Sequence, residues 1–525
     1  MVNWKALQSI MMELGIPNKF IHWIMGTLST ISYVFNVNGE ITQSMKACRG
    51  IRQGDPISPL LFVLMMEYMN RLLVKMQGDQ KFKFHARCEK VGLSNLIFAD
   101  DILLFCRGDV NSVDRMLTTI KMFSMSTGLI VNPQKCKFFC GGVDMPTKAA
   151  IKALSGFEEG VLPVKYLRVP LASKRLNIVH YLPLIEKLIG RIRHWTSKLL
   201  SYAGQVQLIQ SVLFAITQYW LQSFPIPKFV LTKVDAICRT FLWTCKDDKS
   251  RKSPIAWNTI CRPKCNGGLN IVNIHIWNQV TRLKCLWNIF RKADNLWVTW
   301  IHTYYLKDNN VMEAVEDQKW SWMFQAIMRQ RDNISKIQQC WEKMTSRQLF
   351  FMNNTYDILI DDLSRVPWRF MVHHNIARPR AVFTFWMMCH GKLPTKDILA
   401  RFGFIQDDIC SLCKSDSESL HHIFFECRVT KAIWCHVLLY PEVDHCPQHF
   451  PAEMKWIIDN TNKKGWKARL LKLAFTETAY GIWQMRNATI FDKPGAHTVE
   501  RIIDNIIYRG WIDKQIRTHI ARLMM

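Results

Sequence analysis

The stretch NLIFADDILLFC, residues 95–106, holds two adjacent aspartates between two apolar runs. The runs Leu96–Phe98 and Ile102–Phe105 have the length and composition of short buried strands. We therefore predict a β-hairpin with Asp100 and Asp101 near its turn. Apolar strands on both sides would bring these carboxylates close to a dry environment, where paired charges are costly unless a proton or a cation neutralises them.

The acidic doublet has two interpretations. In the first the two aspartates only stabilise the turn, because aspartate side chains at turns commonly accept hydrogen bonds from nearby backbone N–H groups. In the second the carboxylates bind divalent magnesium, which prefers oxygen ligands. Pairs of such ions are the device by which polymerases transfer a phosphoryl group in line. The apolar flanks favour the metal interpretation.

The sequence before this hairpin predicts another hairpin and a buried helix. The segment SYVFNVNGEIT, residues 32–42, alternates around Asn38-Gly39, which is a strong turn signal. After the loop ACRGIRQGDPISP, a helix should begin at about Pro59 with Ser58 as its N-cap. Because the first residues of this helix are apolar all round, we expect it to be buried.

The sequence after the acidic hairpin predicts more helix. The segment SVDRMLTTIKMFSMSTG should form a helix that ends at Gly128. The order hairpin, helix, hairpin, helix indicates an antiparallel sheet backed by helices, which is an α+β unit ending near residue 150.

Beyond Pro170 the chain is predicted to be helical, and residues 181–200 carry two stripes at helical spacing. One stripe is apolar. The other is basic and consists of Lys187, Arg191, His194 and Lys198. A solvated face and a phosphate-binding face both fit the basic stripe.

The composition favours an intracellular protein that binds nucleic acid. The 525 residues are 49% hydrophobic, and a formal net charge of +27 attracts polyanions. The first residues lack the apolar core of a signal peptide, and the longest apolar run, LLFVLMM, is too short to cross a bilayer. We therefore expect a soluble protein of the nucleus or cytoplasm that does not bind a membrane and has no disulfide framework.

A second candidate metal site lies in CSLCKSDSESLHHIFFEC, residues 410–427. Three cysteines, Cys410, Cys413 and Cys427, combine with His421 or His422 in a spacing that suits tetrahedral zinc. Nearby basic and aromatic residues would contact RNA or DNA if the unit binds nucleic acid, whereas a purely structural clip would not need them. These neighbours are Arg401, Phe402, Lys414 and Arg428.

Taken together, these motifs resemble the reverse transcriptase of plant LINE-type, non-LTR retrotransposons. The resemblance rests on FADD, on GIRQGDPISPLLFVLMMEY before it and on STGLIVNPQKCKFF after it. It continues through YLRVPLASKRLNIVHYLPLIEKLIGRIRHWTSKLL, then IAWNTICRPKCNGGLNIVNIHIWN, and then the zinc-binding region that follows these enzymes. That region favours His422 over His421 as the ligand.

The resemblance implies an order of domains. It predicts a partial right-hand polymerase palm over residues 1–150 and a thumb-like helical region over 151–225. A Trp-rich helical connection follows over 226–364. The reverse-transcriptase zinc-binding domain would cover 365–450, and a helical tail would cover 451–525.

The resemblance also implies an activity, which is RNA-directed DNA polymerisation by two-metal nucleotidyl transfer. Asp100 would be the main ligand of magnesium or manganese, with Asp101 assisting, and Lys135 would protonate the pyrophosphate leaving group. The partners would be an RNA template, a DNA primer and deoxynucleoside triphosphates. The residues that pack against template and nucleotide would be Arg52, Gln53 and Gly54.

The chain departs from the family pattern in two places. The family carries a third catalytic aspartate in a pattern like D..KAYD.V.W, and only Val2 and Trp4 match the end of it. We therefore expect this chain alone not to be a competent polymerase; a non-catalytic remnant that binds nucleic acid through the thumb and zinc unit is the alternative. The second departure is Arg168, which stands in YLRVPL where the family has glycine, a residue that permits a tight backbone.

Overall fold

The computed structural model describes residues 1–196, 200–244, 253–307, 309–360, 364–372, 374–463, 465–491, 498–514, 516–518 and 521. The chain folds into two compact units. The first comprises residues 1–180 and 287–322, and the second comprises residues 181–286 and 323–525. Helices predominate over short strands in the described chain, so the predicted α+β class is confirmed at that level.

All the strands that the structure describes lie in the first 180 residues, together with five helices. In chain order these elements are α1 (Trp4–Glu13), α2 (Asn18–Ser29), β1 (Ser32–Tyr33), β2 (Asn36–Val37), β3 (Glu40–Ile41), β4 (Met45–Lys46), α3 (Ser58–Met76), β5 (Asn95–Phe98), β6 (Asp101–Leu104), α4 (Val110–Thr127), β7 (Lys137–Phe138), α5 (Met145–Ser155), β8 (Glu158–Glu159), β9 (Val164–Tyr166) and β10 (Val169–Leu171).

The rest of the described chain is helical. Its helices are α6 (Leu182–Thr196), α7 (Tyr202–Leu208), α8 (Phe214–Ser223), α9 (Lys228–Thr244), α10 (Trp257–Ile260), α11 (Ile274–Phe290), α12 (Leu296–Ile301), α13 (Trp322–Met328), α14 (Gln338–Arg347), α15 (Met352–Leu359), α16 (Arg369–Val372), α17 (Pro379–Cys389), α18 (Lys396–Arg401), α19 (Arg428–Leu438), α20 (Phe450–Thr461), α21 (Trp466–Ile490) and α22 (Val499–Ile512). None of the described helices has the length and apolar character needed to cross a membrane.

The strands pair two by two and do not form the single antiparallel sheet that the sequence predicts. Among the described residues, four pairs are antiparallel and the pair β7–β8 is parallel. Each strand is only two to four residues long, and helices α1 to α4 provide most residues of the two buried apolar clusters in this region. The prediction of one sheet is therefore wrong, although the individual hairpins are correct.

Both predicted hairpins are confirmed. Strands β2 and β3 pair around Asn38 and Gly39, whose positive φ angles suit a two-residue turn. Strands β5 and β6 pair in a register that sets Phe98 opposite Asp101 and Ile97 opposite Ile102.

Helices α3 and α4 form the core that supports the acidic hairpin. Residues on one face of each helix are buried together, and Ile97, Ile102 and Leu104 of the hairpin pack against them. The buried set is Met66, Met69, Leu73 and Met76 of α3, Met116 and Phe123 of α4, and Phe82 from the segment between the helices. The inner face of the hairpin is thus fixed to the two helices by hydrophobic contact.

Two details of the helix predictions need correction, and one is confirmed. The N-cap of α3 is Ile57, because Ser58 already has helical geometry and makes no capping hydrogen bond. Helix α3 is not buried all round: Leu60 and Val63 are exposed on the face that no other element covers. Helix α4 ends as predicted at Gly128, which adopts the left-handed conformation.

The apolar and basic stripes of α6 lie beside each other as predicted, and they differ in exposure. Leu184, Leu188 and Ile192 are buried, whereas Lys187 and Arg191 are exposed. The fourth basic position of the stripe, Lys198, lies outside the described residues.

The turn between β9 and β10 explains why a glycine suits position 168. Tyr166 pairs with Val169, so Leu167 and Arg168 form a two-residue loop in which both have positive φ, +47° and +67°. This conformation costs a residue with a Cβ roughly 1–2 kcal/mol. Arginine at this position is therefore strained.

Replacing Arg168 by Gly should stabilise the β9–β10 hairpin by about 1 kcal/mol, since part of the relieved strain is offset by the larger entropy of glycine in the unfolded chain. Amide hydrogen exchange in residues 164–171 should slow about five-fold. The matched control is Lys165→Gly, at a strand position that pairs with Pro170, where exchange should become faster. Equal effects of the two substitutions would contradict the explanation.

Candidate metal centres and their surroundings

The acidic doublet lies at the tip of the β5–β6 hairpin. Ala99, with a φ of +52°, and Asp100 form the turn, and Asp101 is the first residue of β6. Both carboxylates are exposed, so the predicted dry environment is wrong. The reason is that the hairpin is covered on its inner face only, while Phe98, which faces the same side as Asp101, is 60% exposed.

One neighbour of the doublet was not identified from the sequence. Tyr166 of β9 is partly buried, and its pKa is raised first by burial and then by the negative charge of Asp101. This electrostatic interaction indicates that the β9–β10 hairpin lies near the acidic doublet. A tyrosine four residues before a proline gives no such indication in the sequence alone.

The other residues predicted for this site lie on exposed loops. Arg52, Gln53 and Gly54 precede α3, and Gly54 has a φ of +98°, which requires glycine. Lys135 lies in a single 3₁₀ turn, Pro133–Lys135, and is also exposed. Among the described residues, none of these side chains forms a hydrogen bond or ion pair with the doublet, and the only cluster of three or more potential metal ligands is elsewhere.

That cluster is the predicted zinc site. Cys410, Cys413, His422 and Cys427 are all buried, and their ligand atoms lie within 4.8 Å of one another. The Sγ atom of Cys413 is 3.3 Å from Nε2 of His422. Tetrahedral zinc with bonds of about 2.0–2.3 Å requires ligand atoms roughly 3.3–3.8 Å apart, so this set needs only a small contraction to hold the ion.

Local backbone geometry brings the ligands together. The N–H of Cys410 donates to the carbonyl of Asp416 at 2.7 Å, and Lys414 turns the chain with a φ of +57°. Between the last two ligands the chain forms one π-helical turn, His422–Glu426, and the N–H of Cys427 donates to the carbonyl of His422. Such turns are often found at functional sites.

The pKa values of Cys410 and Cys413 are shifted in opposite directions. Burial opposes ionisation of Cys413, but the backbone N–H groups of Asp416 and Ser415 and the ring of His422 together lower its pKa to about 6. Burial, with a smaller effect from Cys427, raises the pKa of Cys410 to about 12. Ionisation of Cys413 is therefore favoured over ionisation of Cys410, and a bound metal ion would favour the thiolate form of both.

The two candidate histidines differ in exposure and in the direction of the imidazole ring. His422 points its Nε2 atom at the cysteines, as predicted, whereas His421 is exposed and stacks on Phe450 with ring centroids 4.9 Å apart. The predicted nucleic-acid-contacting neighbours of the zinc unit are all exposed: Arg401, Phe402, Lys414 and Arg428. Of these, Arg428 donates to the carbonyl of Cys413 at 3.3 Å.

A buried ion pair supports the zinc loop. Glu418, which lies between Cys413 and His422 in the sequence, is fully buried and accepts hydrogen bonds from Nε and Nη2 of Arg486 at 3.0 and 2.6 Å. Arg486 is 3% exposed and belongs to the 25-residue helix α21. The backbone N–H of Lys396 donates to the same carboxylate. The metal loop is thus fixed to α21 by charge as well as by packing.

Two further buried glutamates join elements of the same unit. Glu477 of α21 accepts three hydrogen bonds from Arg378, and Glu453 of α20 accepts hydrogen bonds from Trp434 and the backbone of Gln448. Both carboxylates are fully buried. Neither glutamate stands out in the sequence, because its partner lies on a separate segment.

Two regions of the chain match known families. Residues 1–171 match the family described as reverse transcriptase, RNA-dependent DNA polymerase. Residues 350–434 match the family described as zinc-binding in reverse transcriptase, and they include Cys410, Cys413, His422 and Cys427.

Curated relatives agree with these matches. A putative ribonuclease H protein of Arabidopsis thaliana is 20% identical over 68% of this chain and 71% of its own length. The Pol polyprotein of the type-2 retrotransposable element R2DM of Drosophila melanogaster is 25% identical over 52% of this chain, and that of the type-1 element R2 of Popillia japonica is 29% identical over 26%. The matched regions span only 26% and 21% of these two polyproteins.

Proposed function

From the premise that this chain is a relative of the non-LTR retrotransposon reverse transcriptases, we propose that its function is RNA-directed DNA polymerisation in a retroelement of the LINE type. The acidic hairpin supports this proposal, because Asp100 and Asp101 lie side by side at the tip of a hairpin whose inner face is fixed to α3 and α4. Carboxylate oxygens are the ligands that divalent magnesium prefers.

In this proposal Asp100 and Asp101 would hold magnesium or manganese, which would supply charge stabilisation to a transferred phosphoryl group. Arg52, Gln53 and Gly54 would contact the template and the incoming nucleotide. The Gly54 backbone, which has no side chain and a positive φ, leaves room for a base pair to approach. Lys135, an exposed cation, would donate a proton to the pyrophosphate leaving group.

We propose further that the 525-residue chain on its own binds nucleic acid without extending a primer. A two-metal site needs more than the oxygens of one hairpin, and the described residues around the doublet bring no third carboxylate into a ligand cluster with it. Binding is supported by the net charge of +27 and by the exposed Lys187 and Arg191 on α6.

The test is a primer-extension assay with an oligo(dT) primer on poly(rA), in magnesium and in manganese, combined with a binding measurement on the same hybrid. We expect binding that weakens steeply with salt and no extension above the level of Asp100→Asn. Template-directed synthesis that Asp100→Asn abolishes would contradict the proposed inactivity while supporting the catalytic role of the doublet.

The basic stripe can be tested in the same binding assay. Replacing Lys187 and Arg191 together by Ala should reduce the slope of log K against log salt by about 1.4–1.8, since each phosphate contact contributes about 0.7–0.9. The control is Lys343→Ala with Arg347→Ala on α14, which removes the same charge from another exposed helix face. Equal changes in both double variants would show that α6 has no special role.

A further inference from the structure

A cavity of about 680 Å³ lies in the second unit, and none of the four residues of the cysteine–histidine cluster lines it. Its walls come from four elements: α7, α9, α17 and α21. The volume is within the range of about 300–1,000 Å³ that is typical of sites for small organic ligands. None of the residues assigned so far to the polymerase or zinc chemistry lines it.

The wall of the cavity is unusually aromatic. Tyr202 of α7 stacks on Phe383 of α17 with centroids 5.1 Å apart and rings 14° from parallel, and Trp243 of α9 lies 5.8 Å from Tyr202. Phe491, just after α21, also lines the cavity and is 68% exposed. Tyr202 is 46% exposed, so large aromatic surface is presented to the opening. Planar ligands stack on such surfaces.

The polar groups of the wall are hydroxyls, three amides and one cation, Arg380. Gln205 is 2% exposed, and its Nε2 donates to the carbonyl of Phe241 while its Oε1 accepts no hydrogen bond in the described structure. Gln484 and Asn487 of α21 also line the cavity. Amide side chains match the donor and acceptor edges of nucleobases, and a buried acceptor without a donor is costly until a ligand or water supplies one.

The charge of the wall indicates that the ligand should also carry a negative charge. Arg380 lines the cavity, is exposed and has no ion-pair partner among the described residues, in contrast to its neighbour Arg378, which is bound to Glu477. No acidic side chain is present among the described residues of the wall. Aromatic rings, amide side chains and one arginine together suit a ligand that has a planar, hydrogen-bonding group joined to a negative charge. A nucleotide has this structure, and the net charge of +27 attracts nucleotides that belong to a polyanion.

We propose that this cavity, here named the base cavity, binds an unpaired base of single-stranded nucleic acid. The base stacks on Tyr202 and Phe491, the amide side chains contact its edge, and Arg380 contacts the adjoining phosphate. The inference rests on the nucleic-acid binding of the proposed function but requires no polymerase chemistry.

The experiment measures binding of fluorescent 12-residue oligo(U) and oligo(dT) to the full chain. Phe491→Ala should weaken binding of at least one of them about five-fold or more, because stacking residues contribute at least this much. Arg380→Ala should reduce the salt slope by about 0.7, the value for one phosphate contact to a single strand. Both positions are exposed, so these variants should fold normally.

Matched controls are Phe404→Ala, at an aromatic residue that is 70% exposed, and Arg347→Ala, at an exposed arginine on α14. Neither residue lines the cavity. Oligo(U) containing 4-thiouridine should also form photochemical cross-links that map to peptides containing Tyr202, Trp243 or Phe491. Cross-links confined to other segments, or equal losses of affinity in cavity and control variants, would overturn the inference.

The two proposals can fail separately. If the chain binds the primer–template hybrid but its affinity for both oligonucleotides is unchanged by the cavity variants, the base cavity is wrong and the proposed function is unaffected. If the oligonucleotides bind and cross-link at the cavity while the chain does not bind the hybrid, the inference holds and the proposed binding of primer and template fails.

Discussion

Replacing Cys427 by Ser should remove zinc from the chain and open the segment around it. The purified wild-type protein should contain close to one equivalent of zinc, and the variant should lose at least about a thousandfold in zinc affinity, which is roughly 4 kcal/mol. Cys427 is fully buried, and its sulfur belongs to the cluster in which all ligand atoms lie within 4.8 Å. A serine hydroxyl is a much poorer zinc ligand than a thiolate, and the folding of small metal units is coupled to metal binding.

The matched control is Cys435→Ser on α19, eight residues further along, where the thiol is exposed and outside the cluster. Zinc content would be measured by elemental analysis, and opening would be measured by limited proteolysis between residues 405 and 430. The control variant should retain its zinc and its resistance to protease. A wild-type content below about half an equivalent, or equal zinc in the two variants, would refute the zinc assignment.

The cluster of three cysteines and one histidine could be predicted from the sequence because the spacing of its members is local. Cys410, Cys413, His422 and Cys427 fall within 18 residues, so short turns alone bring them together. The choice between His421 and His422 needed the family pattern, and the structure agrees with it by directing only the second ring to the cysteines.

The acidic hairpin was predictable for the same reason, but its surroundings were not. The two apolar runs on either side of the doublet predicted both strands and a turn near Asp100. It gave no information on which elements cover each face, because that depends on contacts between distant segments. Helix α3 shows the same limit: the apolar run LLFVLMM, residues 60–66, predicted burial, yet the face with Leu60 and Val63 is exposed.

The pair Glu418–Arg486 shows what sequence reasoning missed. The two residues are 68 positions apart, and each by itself resembles an ordinary surface charge. The only available signal was the position of Arg486 in a mostly apolar helical segment, AYGIWQMRNATIFD, where a charge at a buried position needs a partner.

Replacing Arg486 by Met should destabilise the second unit by about 3–5 kcal/mol, the second largest effect that we expect. Removing one partner of a buried pair leaves an uncompensated charge, here the carboxylate of Glu418, which is fully buried. The substitution keeps an apolar stem of similar length, so loss of packing is small. The free energy of unfolding would be measured in urea with the zinc content monitored, and the variant should also release zinc faster to a chelator.

The double variant Glu418→Gln, Arg486→Met distinguishes the destabilisation caused by the unpaired buried charge from that caused by lost packing. The glutamine can still accept the hydrogen bond from the N–H of Lys396 but carries no charge, so at least half of the lost stability should return. The control is Lys467→Met on the same helix α21, whose ion pair with Glu442 is long, at 4.0 Å, and more than half exposed on both sides. Its loss should change stability by no more than about 0.5 kcal/mol. Two results would contradict this explanation: a loss of unfolding free energy in Lys467→Met equal to that in Arg486→Met, or a double variant as unstable as the single one. Packing against α21, and not the charge pair, would then account for the position of the zinc loop.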